Sequence, residues 1–189
     1  MSVHVDNRAA PDRRNQVIAA IEDIRRRVRG LDMAVAGKAR EANIQGVLVH
    51  DRDLNRTIRQ VFGAERAQRI RRSLHPQCLS VFWRDDSYRI VQSTALLVAD
   101  VSGFVFFDCA HEELLQALGP INDDASVPWS MFNDNVRLGF FGVYDQYLLN
   151  ILYHPRVRPG MTRAEVLALL PKVLPEVRAF VAEVNGLAK

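Results

Sequence analysis

Long apolar runs are missing from this sequence. The longest apolar stretch, Ala95 to Ala110, is broken by Asp100, Ser102 and Asp108. It falls short of the ~20 residues that a membrane helix needs, and it reads as buried strand and loop. Cysteine is scarce: Cys78 and Cys109 are the only two, and they do not form a CxxC pair, which excludes a compact redox or metal motif. The five histidines are scattered, and none sits in a Ser-His-Asp or Cys-His arrangement. There is no internal repeat and no low-complexity tract. Aromatics make up 8% of residues, and none interrupts an arginine run to offer a stacking platform for bases.

What is present describes an ordinary globular chain. Hydrophobic residues at 48% and charged residues at 25% of 189 positions suit one domain with a real core. The net charge of +3 rests on arginine, with runs at Arg13-Arg14, Arg25-Arg26-Arg27 and Arg69 to Arg72. Each run lies in a helical pattern beside Asp or Glu, so solvated helix faces account for it and nucleic acid is not an expected partner. Met1 to Pro11 is polar and lacks the apolar core of a signal peptide. Residues 1–12 are therefore expected to be a disordered tail. The protein is expected either in the cytoplasm or with a leader outside this sequence.

Residues 13–189 are expected to form a single domain. Val17, Ile21, Ile24 and Val28 recur at helical spacing, predicting a helix over Asn15–Arg29 that is capped by Gly30. Leu31–Val35 and Asn43–His50 read as strands, and Asp53–Leu74 as one helix stopped by His75-Pro76. Cys78–Trp83 and Tyr88–Ala99 are strands joined by a turn at Arg84–Ser87. Helical patterning returns over Asp108–Leu118 and Val143–Tyr153. Thr162-Arg163-Ala164-Glu165 opens a last helix with a capping box, and Pro171 and Pro175 are expected to divide it. The order predicts an α+β fold with a mixed sheet and a helical C-terminal part over about 143–185.

One segment carries chemical information. In metzincin-type zinc peptidases a helix presents histidines at i and i+4, a glutamate base at i+1, a glycine at i+7, a third ligand at i+10 and a methionine turn beyond. With Glu112 as i, the positions hold Glu113, Gln116, Gly119 and Asn122, followed by Asp123, with Ser130-Met131-Phe132-Asn133 at the methionine turn. The base, the glycine, the downstream acid and the methionine fit. All three ligand positions, Glu112, Gln116 and Asn122, lack histidine. Starting the frame at His111 recovers one histidine but places Leu115 and Leu118 where a ligand and the glycine belong.

The chain resembles a proteobacterial family, domain of unknown function 2927, found mainly in secreted and lipoprotein-type proteins. The resemblance rests on Cys109 to Gly119 (CAHEELLQALG), Asn122-Asp123, Pro128-Trp129-Ser130-Met131-Phe132, and Tyr153, Pro155, Arg156, Pro159, Gly160 and Met161 of a closing motif. It covers roughly Asn43 to Glu176 and is weaker before Cys78. Pro120 departs from it, because the family usually places an apolar residue after its glycine. The resemblance implies a zincin-like fold, with a mixed sheet packed on an active-site-type helix, and a periplasmic or secreted location. It implies no activity.

Two readings of the ligand positions stay open. One is an oxygen-ligated cation site suited to a hard ion such as calcium, since zinc prefers nitrogen and sulfur. The favoured one is a self-satisfied polar cluster with no cofactor. Glu113 is the candidate general base, but without a metal it would supply little of the usual acceleration. Cys78 and Cys109 are either two unrelated buried thiols or a disulfide, and implied export favours the disulfide. A bond would close a loop of roughly thirty residues and add about 3–4 kcal/mol. Arg156 and Arg158 either meet an anionic partner or anchor two helices, the proline-rich context favouring the anchor. The expected function is thus a non-catalytic zincin-like domain that binds a protein or cell-envelope component. The alternative is a peptidase-like hydrolase using Glu113.

Overall fold

A computed structural model describes residues 1–73, 77–133 and 135–187. The sheet orders its strands β2-β1-β3-β5-β4, where β1 is Ser2–Asn7, β2 Ala34–Val35, β3 Ile44–Val49, β4 Cys78–Arg84 and β5 Ile90–Val98. Neighbours β2, β1, β3 and β5 run parallel, and β4 alone pairs antiparallel, with β5, at one edge. The helices are α1 (Arg14–Arg27), α2 (Asp51–Phe62), α3 (Ala64–Ser73), α4 (Gly103–Gln116), α5 (Val143–Leu152) and α6 (Arg163–Val184). Mixed α/β architecture follows from this order.

The sheet is covered on both faces, so Val47–Val49 of β3 and Ala95–Val98 of β5 are continuous buried apolar runs. Ile44, Leu48 and Leu97 join one core with Ile21 and Ile24 of α1 and Phe106 and Leu114 of α4. Val47, Val49, Leu96 and Val98 join a second core with Leu54 and Ile58 of α2 and Ala67 of α3. Alternation along each strand sends successive side chains to opposite layers. Val173, Val177 and Val181 of α6 form a third cluster with Tyr147 and Ile151 of α5.

Several expectations need correction. The first twelve residues are not a disordered tail: Ser2–Asn7 is an inner strand, with Val3 and Val5 in the core. Six residues of Val-x-Val alternation are too few to stand out from a polar terminus, and the strand forms only because β2 and β3 pair with it and α1 covers its valines. The strand expected over Leu31–Val35 is reduced to Ala34–Val35. The long helix expected from Asp53 is two helices, broken at Gly63 with φ 80°. Its expected stop at Leu74 to Pro76 lies outside the described residues.

The helix expected from Asp108 begins at Gly103 instead. The Ser102 hydroxyl caps it by accepting from the Val105 N–H, and the near-continuous apolar run had hidden the 3.6-residue period. Finally, α6 is not divided at Pro171 and Pro175. Both prolines are exposed and lie four residues apart on the face opposite Val173 and Val177. The carbonyls they leave unbonded can therefore be hydrated instead of buried.

The arginine run at Arg25–Arg27 pairs with Glu22 and Asp23 on the exposed side of α1, as its spacing predicts. Among the described residues no helix is long and apolar enough to cross a membrane.

Candidate functional site

Helix α4 lies beside edge strand β4, and a disulfide from Cys78 of β4 to Cys109 in the middle of α4 ties the two together. Cys109, Glu112 and Glu113 share one helix face, because residues three and four apart are neighbours on a helix. Cys78 Sγ and one carboxylate oxygen each from Glu112 and Glu113 lie within 4.8 Å of one another. Glu113 is almost fully buried, at 4% exposed, while Glu112 and Cys78 are partly buried.

Gln116 occupies the middle of a polar cluster. Its amide nitrogen donates to Asp123 Oδ1 at 3.3 Å and faces Glu112 Oε1 at 3.5 Å, and its carbonyl oxygen accepts from the Ser80 hydroxyl at 3.1 Å. Of the expected ligand positions, then, Glu112 and Gln116 meet, and Asp123 joins them. Asn122 does not: it is exposed and makes no hydrogen bond among the described residues. The expectation had counted Asn122 as ligand-like and Asp123 as structural. Because α4 ends at Gln116 and the chain turns at Gly119, the next acid is the side chain that reaches back.

Gly119 is fixed by its surroundings. Its φ is 135°, and a Cβ there would sit 3.2 Å from Leu152 Cδ2. One residue earlier, the Leu118 carbonyl accepts from the Tyr153 hydroxyl at 2.8 Å. Burial pushes the Tyr153 phenol well above its ordinary range, so the hydroxyl stays a donor. The first residue of the closing motif therefore holds the end of α4.

His111, expected at a helix start or on the surface, is instead buried in the middle of α4 and points away from Glu112 and Gln116 toward α1. Its Nδ1 lies 2.9 Å from the Phe107 carbonyl and its Nε2 lies 3.7 Å from Asp23 on α1. Although burial opposes it, hydrogen bonding from His111 and Arg27 holds the Asp23 carboxyl below its ordinary value.

Met131 is buried in the main core with Leu114 and Leu115 of α4. Its turn is held by a residue that the sequence had not singled out. The Asp145 carboxylate accepts from the Ser130 hydroxyl at 2.7 Å and from the Met131 N–H at 2.9 Å. Burial pushes the Asp145 carboxyl up despite these two donors. Asp108 was also missed, and it does the same for another loop, accepting from the Leu138 and Gly139 N–H groups. Both acids sit in apolar helical patterns, and that isolation was the available signal.

Arg156 forms an ion pair with Glu176 of α6 at 2.6 Å, and His154 Nε2 faces the same carboxylate at 3.2 Å. This is the anchoring reading of Arg156. Arg158 donates its N–H to Met161 Sδ within the connector.

A family profile described as "Protein of unknown function (DUF2927)" matches residues 1–172, and the chain belongs to that family. The match reaches through β1 and α1, further toward the N-terminus than the motifs from Asn43 onward implied. No curated protein matches.

Proposed function

We propose that this DUF2927 member is a zincin-like domain that has kept the active-site scaffold and given up metal chemistry, acting as a binding or structural module of the bacterial cell envelope. The observation that carries this reading is the Gln116 cluster. At the position of a second ligand, a carboxamide is engaged by Glu112, Asp123 and Ser80. A buried or half-buried polar group tolerates its site when its hydrogen bonds are made internally, and the Gln116 carboxamide has both its nitrogen and its oxygen engaged by protein groups.

Other features support the scaffold. The helix carrying Glu113 lies on a mixed sheet beside its antiparallel edge strand. Gly119 turns the chain after that helix, and Met131 lies buried beneath it in the same core. The Cys78–Cys109 disulfide supports an oxidising compartment, periplasmic or extracellular. The competing reading, hydrolysis with Glu113 as general base, has the burial of that carboxyl in its favour.

Metal analysis of the disulfide-intact protein, purified without chelator, tests the proposal. No stoichiometric ion is expected, and Gln116→Ala should leave that result unchanged. A stoichiometric ion that disappears in Gln116→Ala overturns the reading. So does peptide hydrolysis abolished by Glu113→Gln.

A further inference from the structure

The disulfide and the carboxylates next to it suggest a second, different chemistry. We propose that reduction of the Cys78–Cys109 bond creates a zinc-binding site whose ligands are the two released thiolates and the carboxylates of Glu112 and Glu113. This inference goes beyond the zincin-like reading: it shares Glu112 and Glu113 with it but needs neither Gln116 nor Asn122, nor any zincin ancestry.

The geometry is already assembled. Cys78 Sγ and carboxylate oxygens of Glu112 and Glu113 lie within 4.8 Å of one another, and Cys109 Sγ is bonded to Cys78 Sγ. Zinc takes sulfur at ~2.3 Å and carboxylate oxygen at ~2.0–2.2 Å in a tetrahedron, which places neighbouring ligand atoms about 3.5 Å apart. Binding therefore requires the ligand atoms to draw together by about 1 Å. The cysteine Cα atoms are 5.8 Å apart, so both thiolates can reach one ion without moving strand or helix. On α4, Cys109 supplies one ligand while Glu112 and Glu113 supply two more from the same face, and β4 supplies the fourth.

The oxidised bond withholds this site, because a metal ligand must be a thiolate and disulfide sulfur is not one. Reduction consumes two electrons and two protons from a dithiol, breaks the S–S bond and leaves two thiols. Binding the ion then releases both thiol protons to solvent. Two thiolates beside two carboxylates suit zinc or cobalt(II) better than calcium or magnesium, whose ligands are oxygen alone.

Cobalt(II) titration of the folded, full-length chain tests the proposal, with and without prior reduction by a water-soluble phosphine. The phosphine takes the two electrons and becomes its oxide, and water supplies the oxygen and the thiol protons. The reduced protein should develop thiolate-to-cobalt charge transfer and tetrahedral ligand-field bands that saturate at one equivalent and are bleached by zinc. The oxidised protein should show neither. Glu112→Gln and Glu113→Gln keep the disulfide during folding, and the pair together should weaken binding beyond the ~10–100-fold typical of an outer-shell partner.

Binding of equal strength in the oxidised protein overturns the proposal, as does an unchanged affinity in the doubly substituted chain. Absence of a one-equivalent endpoint also overturns it. Circular dichroism of the reduced, metal-free sample must keep the native spectrum, because cobalt caught by an unfolded chain would refute a built site. An ion in the oxidised protein alone would instead defeat the metal-free reading above, so the two failures are distinguishable.

Discussion

Asp145 and Ser130 are joined by a 2.7 Å hydrogen bond from the serine hydroxyl to the buried carboxylate, and this bond holds the turn at Met131. The second carboxylate oxygen takes the Met131 N–H at 2.9 Å. Ser130, Met131 and Asp145 are all essentially inaccessible to water. Helix α5 therefore fixes the loop that supports α4 through one side chain in its first turn.

Asp145→Ala should destabilise the protein by about 3 kcal/mol. Two donors lose their acceptor in a dry environment, and each unsatisfied group costs ~1–3 kcal/mol. Urea unfolding monitored by circular dichroism measures this. A loss below ~0.5 kcal/mol would mean that water or another group takes over both donors.

Removing the disulfide by Cys78→Ala with Cys109→Ala should cost about 3–4 kcal/mol, given the 31-residue separation. A domain of ordinary stability holds about 5–15 kcal/mol, so the reduced chain is expected to remain folded at room temperature with a lowered urea midpoint. Unfolding of the variant without denaturant would contradict this and would remove the ground for a redox-dependent metal site.

Much of this architecture was legible in the sequence because hydrophobic period and capping are local signals. Thr162 and Glu165 announce the start of α6, and the reciprocal bonds of that capping box are present. Strand β1 was illegible for the opposite reason. Val3 and Val5 are buried in a core with Ile21 and Ile24 of α1 and Phe106 of α4, and their strand is fixed by pairing with β2 and β3, which are distant in sequence. At the site, Glu112, Glu113, Gln116 and Gly119 lie near one another because their spacing is set within one helix and its turn. The metzincin template chose Asn122 over Asp123 because a ligand count along the chain ignores how the loop turns. Asp145 escaped since an acid in a first helical turn reads as a partner for the helix dipole, not as the floor of a turn fifteen residues earlier.

Gly119→Ala should cost more than ~1 kcal/mol, since φ of 135° is hostile to an L side chain and the new methyl meets Leu152 at 3.2 Å. Pairing it with Leu152→Ala separates the two causes. Relief of the contact alone should recover part of the loss, and the backbone share should persist in thermal unfolding. Full recovery would show that φ contributes nothing.

Asp23 and Asp145 should respond to pH with opposite signs. Hydrogen bonds from His111 and Arg27 hold the Asp23 pKa below its ordinary 3.8, after burial has pushed the other way. Its stabilisation is therefore present above the unfolded value and is lost as pH falls through the folded one. Asp23→Asn should cost about 0.5–1 kcal/mol at neutral pH, the range for partly screened pairs, and its deficit should shrink as pH falls below the ordinary carboxylate value of 3.8. Burial raises the Asp145 pKa, so its contribution is full below the unfolded value and declines as pH rises through the folded one. The deficit of Asp145→Asn should thus be larger at pH 4 than at pH 7. Urea unfolding of both variants against the parent across this range gives two difference curves. Curves sloping the same way would show that one of the two carboxylates is not in the environment described.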